Sequence, residues 1–169
     1  MHTVLECTKD ITEYFNKWLG YFMLREDLYA DENYSSLSND CFATTNLLGL
    51  VKDNVFDEYI GYLKDICEAS INRNLSYHYL HMISYDAGGY MTRHSHEHNE
   101  DLSFILYLNT CKDGATVLHD DYEDHYITPK QNSILVFSAD TEHSAKFSDS
   151  KRILVGGLKL KNYEERNPC

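Results

Sequence analysis

Ser103-Phe104-Ile105-Leu106-Tyr107-Leu108-Asn109 and Ile134-Leu135-Val136-Phe137 decide how this chain is read. Both runs are short and apolar at odd and even positions alike, so each reads as a strand covered on both faces. Around them, from residue 76 onward, short β-type stretches alternate with turns rich in Gly, Asn, Asp and Lys. The predicted strands are 76–85, 90–94, 103–110, 115–119, 125–128, 133–138, 144–147 and 152–161. Such spacing suits an all-β sandwich or barrel. In the first run, alternation puts Ile105, Tyr107 and Asn109 on one face and Phe104, Leu106 and Leu108 on the other. One face would line a lumen, and the other needs an outer cover.

The first 75 residues supply that cover, because they read as mainly helical. Ile11, Tyr14, Phe15, Trp18, Leu19, Phe22 and Met23 form a stripe of period 3.6, with Asp10 and Glu13 spaced as a capping box. A second stripe, Phe56, Tyr59, Ile60, Leu63, Ile66, Cys67 and Ile71, follows a cap at Asp53 or Asn54. The polar stretch 31–39 reads as a loop and 43–51 as a short helix. Helices followed by a run of strands make an α+β fold in a single domain, 1–169, with helical support over 1–75 and a β core over 76–161.

Composition narrows the function. Fifteen Lys+Arg against 27 Asp+Glu give a formal charge of −12, which repels nucleic acid and anionic lipid as partners. The five cysteines, Cys7, Cys41, Cys67, Cys111 and Cys169, are odd in number and contain no C-x-x-C pair, which speaks against a zinc knuckle or a disulfide framework. No run nears the roughly 20 apolar residues of a membrane span. The opening Met1–Glu6 lacks the basic and apolar regions of a secretion signal, so a reduced, cytoplasmic setting is expected.

The densest polar chemistry is Arg93-His94-Ser95-His96-Glu97-His98. In an extended chain His94 and His96 project to the same side, and two imidazoles so placed can hold one metal ion. His143 is the natural third ligand. The same tract also reads as a solvated polar turn, and His78, His81, His119 and His125 read as packing or surface residues. His98, Glu100 and Asp101 are alternatives for completing the set, with His96/His98 as the main register alternative.

The order of motifs adds to this. Tyr85-Asp86-Ala87-Gly88-Gly89-Tyr90 precedes His94-Ser95-His96; Tyr107-Leu108-Asn109, Pro129-Lys130, Leu135-Val136-Phe137, His143 and Arg152 follow. This succession resembles the Fe(II)/2-oxoglutarate-dependent dioxygenases, especially their prolyl 4-hydroxylase-like branch, over residues 76–161. The resemblance implies a double-stranded β-helix (jelly roll) with helices bracing one sheet, and Fe(II) held by His94, His96 and His143. It further implies 2-oxoglutarate bound through Arg152, with Tyr107 donating to its distal carboxylate and Tyr85 lining the pocket. O₂ is the second cosubstrate, and the reaction is hydroxylation of a C–H bond in a peptide or protein side chain or a small molecule. Two positions depart from the family pattern: His96 stands where an aspartate is usual, and Leu154 where a hydroxyl residue often follows the arginine.

A cupin-type metal dioxygenase, or a metal-binding module that does not use 2-oxoglutarate, is the rival reading. Gly88, His94, His96 and Glu100 meet the opening of the cupin first motif. The second motif is absent, because Pro129 lies 14 residues before His143.

Overall fold

The computed structural model describes residues 1–30 and 38–162, so most of the loop expected over 31–39 lies outside the described residues. In chain order the elements are β1 (His2–Glu6), α1 (Thr12–Phe22), a 3₁₀ turn (Glu26–Leu28), β2 (Ser38–Ala43), α2 (Asn54–Ile71), β3 (Leu75–His94), β4 (Leu102–Tyr107), β5 (Thr116–His119), β6 (Asp124–Ile127), β7 (Ser133–Ser138), β8 (Glu142–Ser148) and β9 (Arg152–Leu160). The strands form one antiparallel sheet in the order β1-β7-β4-β9-β3-β8-β5-β6, with β2 added on β3.

The two doubly apolar runs become β4 and β7, which pair with each other, and β4 also pairs with β9. Their two faces serve two cores. Phe104, Leu106, Ile134 and Val136 pack outward with Ile11, Phe15, Leu19 and Phe22 of the first stripe and with Phe56, Leu63 and Cys67 of the second. Ile105, Tyr107, Leu135 and Phe137 pack inward against Ile83, Tyr85, Leu118, Ala145 and Ile153, so the sheet curls and its strands meet across a lumen. Each fully buried Leu or Phe contributes roughly 1.5–3 kcal/mol by leaving water, so both helices are held chiefly by this face. Hydrogen bonds fix their seating: Tyr77 donates its hydroxyl to Ile60 O at 2.6 Å, and the Asn16 amide donates to Leu108 O at 2.9 Å.

The caps differ between the helices. Asp53 caps α2 by accepting from Phe56 N at 2.9 Å and from the Tyr14 hydroxyl at 2.6 Å. At α1 the Asp10 carboxylate instead accepts from Thr12 N at 3.2 Å and Thr12 Oγ1 at 2.9 Å, and the residue preceding the helix, Ile11, has no capping side chain.

Three expectations are corrected. The N-terminal 75 residues contain two strands, β1 on β7 and β2 on β3. No helix forms over 43–51. That segment runs beside β3, where Leu47 N donates to Leu80 O at 2.8 Å and the Asn46 side chain accepts from Leu80 N at 3.1 Å. Strands 76–85 and 90–94 are one long strand, β3, which pairs first with β9 and then with β8. The change of partner falls at Ala87 and Gly88, whose φ values of 49° and 81° bend the chain in the left-handed region. That bend carries the end of β3 to β8, where His94 stands directly opposite His143.

Candidate metal centre

His94 is the last residue of β3 and His143 the second of β8, and their registered pairing brings their ring centroids to 4.2 Å. His96 lies two residues beyond the strand, in a loop rather than on it. Its position is set by its own N–H donating to Ala139 O at 2.9 Å and by the tight turn that follows, where Asn99 N donates back to His96 O at 2.9 Å. Its ring centroid is 5.0 Å from that of His94 and 5.1 Å from that of His143. One ligating nitrogen from each of the three lies within 4.8 Å of the others.

Which nitrogen each ring offers follows from what holds the other. His94 Nδ1–H donates to Thr92 O at 2.7 Å, and His143 Nδ1–H to Thr141 O at 3.0 Å, so both turn Nε2 toward the centre. His96 directs Nδ1 toward the Glu100 carboxylate at 3.8 Å, which likewise leaves Nε2 free. Burial lowers the pKa of all three rings, to about 4 for His96 and about 3 for His143, so each is neutral with its lone pair available at neutral pH. Three neutral imidazoles presented at one point form a donor set that fits Fe(II).

The other candidates in this tract fall away from the centre. The His98 side chain is 89% exposed and lies beside Glu97. Asp101 accepts from Leu160 N at 2.7 Å. Glu100 is buried, accepting at Oε1 from the Tyr79 hydroxyl at 2.9 Å and Ser103 Oγ at 2.8 Å. Burial pushes its pKa up to about 7, against the pull of those two hydrogen bonds.

The triad opens into a cavity of about 360 Å³, with Ile83, Met91, Ile105, Phe137 and Ile153 on its apolar walls. Tyr85 lines it. Tyr107 is wholly buried on the lumen side, and its hydroxyl donates to Thr116 Oγ1 at 2.8 Å; burial raises its pKa. Arg152 is not brought to this cavity, contrary to expectation. It is exposed and lines a separate groove with Asp40, Asp86 and Asp149. The cause is strand alternation: Ile153 and Val155 of β9 face the cavity, so Arg152 and Leu154 face the other way.

The residue before it, Lys151, goes inward and is fully buried. Its Nζ donates to Gly114 O at 2.7 Å and sits 4.2 Å from the centroid of the Tyr85 ring. No carboxylate of the described residues is within ion-pair distance, and burial lowers its pKa to about 8. Sequence reasoning missed Lys151 because Ile153-Leu154-Val155 is apolar at every position and so hides which face is inward.

Comparison with known proteins fits this geometry. No curated protein matches the chain in sequence. A Pseudomonas putida prolyl-4-hydroxylase superposes with a TM-score of 0.74 at 13% identity, covering 95% of this chain and 93% of that one. A Trichoplax adhaerens prolyl hydroxylase, solved with a hypoxia-inducible-factor peptide fragment, gives 0.69 at 16%, covering 98% and 85%. The non-haem α-ketoglutarate-dependent epimerase SnoN of nogalamycin biosynthesis gives 0.73 at 9%, covering 93% and 76%. The fold is therefore the double-stranded β-helix. Residues 80–157, from the middle of β3 to the middle of β9, match the family model of the 2OG-Fe(II) oxygenase superfamily, and His94, His96 and His143 all lie within that match.

Proposed function

We propose that this protein hydroxylates a C–H bond in a peptide or protein side chain, with prolyl the leading choice. The observation that carries the proposal is the convergence of His94, His96 and His143 at the mouth of an apolar-walled cavity. Two of the structural neighbours are prolyl hydroxylases, one solved with a peptide fragment.

His94, His96 and His143 would hold the iron through Nε2. Lys151, in place of Arg152, is the cation we assign to the distal carboxylate of 2-oxoglutarate, and the Tyr107 and Thr116 hydroxyls would stand beside it. A buried lysine without a carboxylate partner is costly, and a dicarboxylate at the closed end of the lumen would relieve that cost. Bound Fe(II) and 2-oxoglutarate supply oxidation by O₂ coupled to decarboxylation of the cosubstrate, which leaves as succinate. The chain's own part is placement. Backbone carbonyls of Thr92 and Thr141 lock two imidazoles in the ligating tautomer, and Ile83, Met91, Ile105 and Phe137 keep water from the reacting centre.

The test is anaerobic loading with Fe(II), then addition of O₂, 2-oxoglutarate and proline-containing peptides. Succinate release matched by gain of one oxygen atom on a prolyl residue is expected. Peptides left unoxidised while a small-molecule substrate gains the oxygen would refute the substrate class. Stoichiometric metal binding with no 2-oxoglutarate consumption would favour the cupin-type alternative.

A further inference from the structure

We propose that Glu100 is a positioning residue of the metal centre: it accepts the Nδ1–H of His96 and sets beside that ligand the negative charge that three imidazoles lack. The inference rests on reading the histidine triad as a metal site. The Glu100 side chain is wholly buried, yet among the described residues no cation pairs with it and its Oε2 has no hydrogen-bond partner. An ionisable group taken out of water with a spare acceptor needs a donor, and His96 Nδ1, at 3.8 Å from Oε1, is a few tenths of an ångström beyond hydrogen-bond reach.

The surroundings are shaped to keep the carboxyl there. Tyr79 and Ser103 hold Oε1, and the turn from His96 to Glu100 joins ligand and carboxyl through Glu100 N donating to His96 O at 3.3 Å. On the facing strand Gly157 leaves the necessary space: a Cβ there would lie 1.3 Å from Glu100 Oε2. The carboxyl thus faces His96 through Oε1, while Oε2 lies over Gly157. His94 and His143 direct Nδ1 to backbone carbonyls, so among the three ligands only His96 has a carboxylate to receive its proton. A divalent ion on three neutral imidazoles carries its full double charge, and Glu100 would reduce it by one unit through His96.

The experiment is Co(II) titration of the full chain, wild type against Glu100→Gln, read by calorimetry and the cobalt d–d spectrum without 2-oxoglutarate. The expected result is a 10- to 100-fold weaker binding in the variant, about the range for lost outer-shell partners, with the metal-free melting temperature not lowered. Equal affinity would overturn the role of Glu100, whereas a wild type that binds no cobalt would overturn the metal site itself. If the variant fails to fold, nitrogen-15 histidine spectra of the Zn(II)-loaded wild type decide. His96 should carry its proton on Nδ1, further downfield than those of His94 and His143. A proton on His96 Nε2 refutes the proposal.

Discussion

Replacing Lys151 by Met tests the cosubstrate reading most sharply. Burial brings this ammonium from its ordinary 10.5 down to about 8, a difference worth about 3 kcal/mol at 1.36 kcal/mol per unit. The folded chain holds this proton less tightly than the unfolded one. The cost is therefore present in full below pH 8, and stability from this group rises between pH 8 and 10.5 as the cost is relieved. A carboxylate arriving beside Nζ recovers much of it, so about 2–3 kcal/mol of 2-oxoglutarate affinity, or roughly 30- to 150-fold, depends on Lys151. Calorimetry of 2-oxoglutarate against the Mn(II)-loaded protein should show that loss in Lys151→Met and less than about a threefold change in Arg152→Ala. Wild-type affinity should also fall as pH climbs through about 8, because binding must then take up a proton, and Lys151→Met should lose that slope. The melting temperature of the variant at pH 7 should change little. The relieved charge is offset by leaving Gly114 O without its donor, about 1–3 kcal/mol. Loss of 2-oxoglutarate binding in Arg152→Ala, with Lys151→Met unaffected, would refute the reasoning.

Two further outcomes check the centre and the frame. His94→Ala with His143→Ala should abolish stoichiometric Mn(II) binding in equilibrium dialysis, whereas His98→Ala, whose ring is exposed, should leave it intact. Gly156→Ala should destabilise the fold by about 1–3 kcal/mol or more in urea unfolding. Its Cβ would lie 2.2 Å from the Phe104 ring, which is locked between the sheet and the helices.

Glu100 was legible only as one of several acids near the histidines, because its neighbours Tyr79 and Gly157 come from strands distant along the chain. Strand alternation was expected to align His96 with His94, but the strand ends at His94 and a backbone hydrogen bond to Ala139 places His96. β1 and β2 escaped notice because they are edge additions whose partners, β7 and β3, lie far along the sequence. Local patterning cannot register such long-range pairing.

By itself the sequence determined the two-faced character of β4 and β7, the helical stripes that cover their outer side, and the histidines able to meet, because periodicity and residue chemistry are local properties. Tertiary structure alone decided which of two adjacent cations is buried and which is exposed. Lys151 immediately precedes β9 and Arg152 begins it, the strand is apolar on both faces, and a one-residue step reverses the side a residue faces. That choice is settled only by the pairing of β9 with β3 and β4.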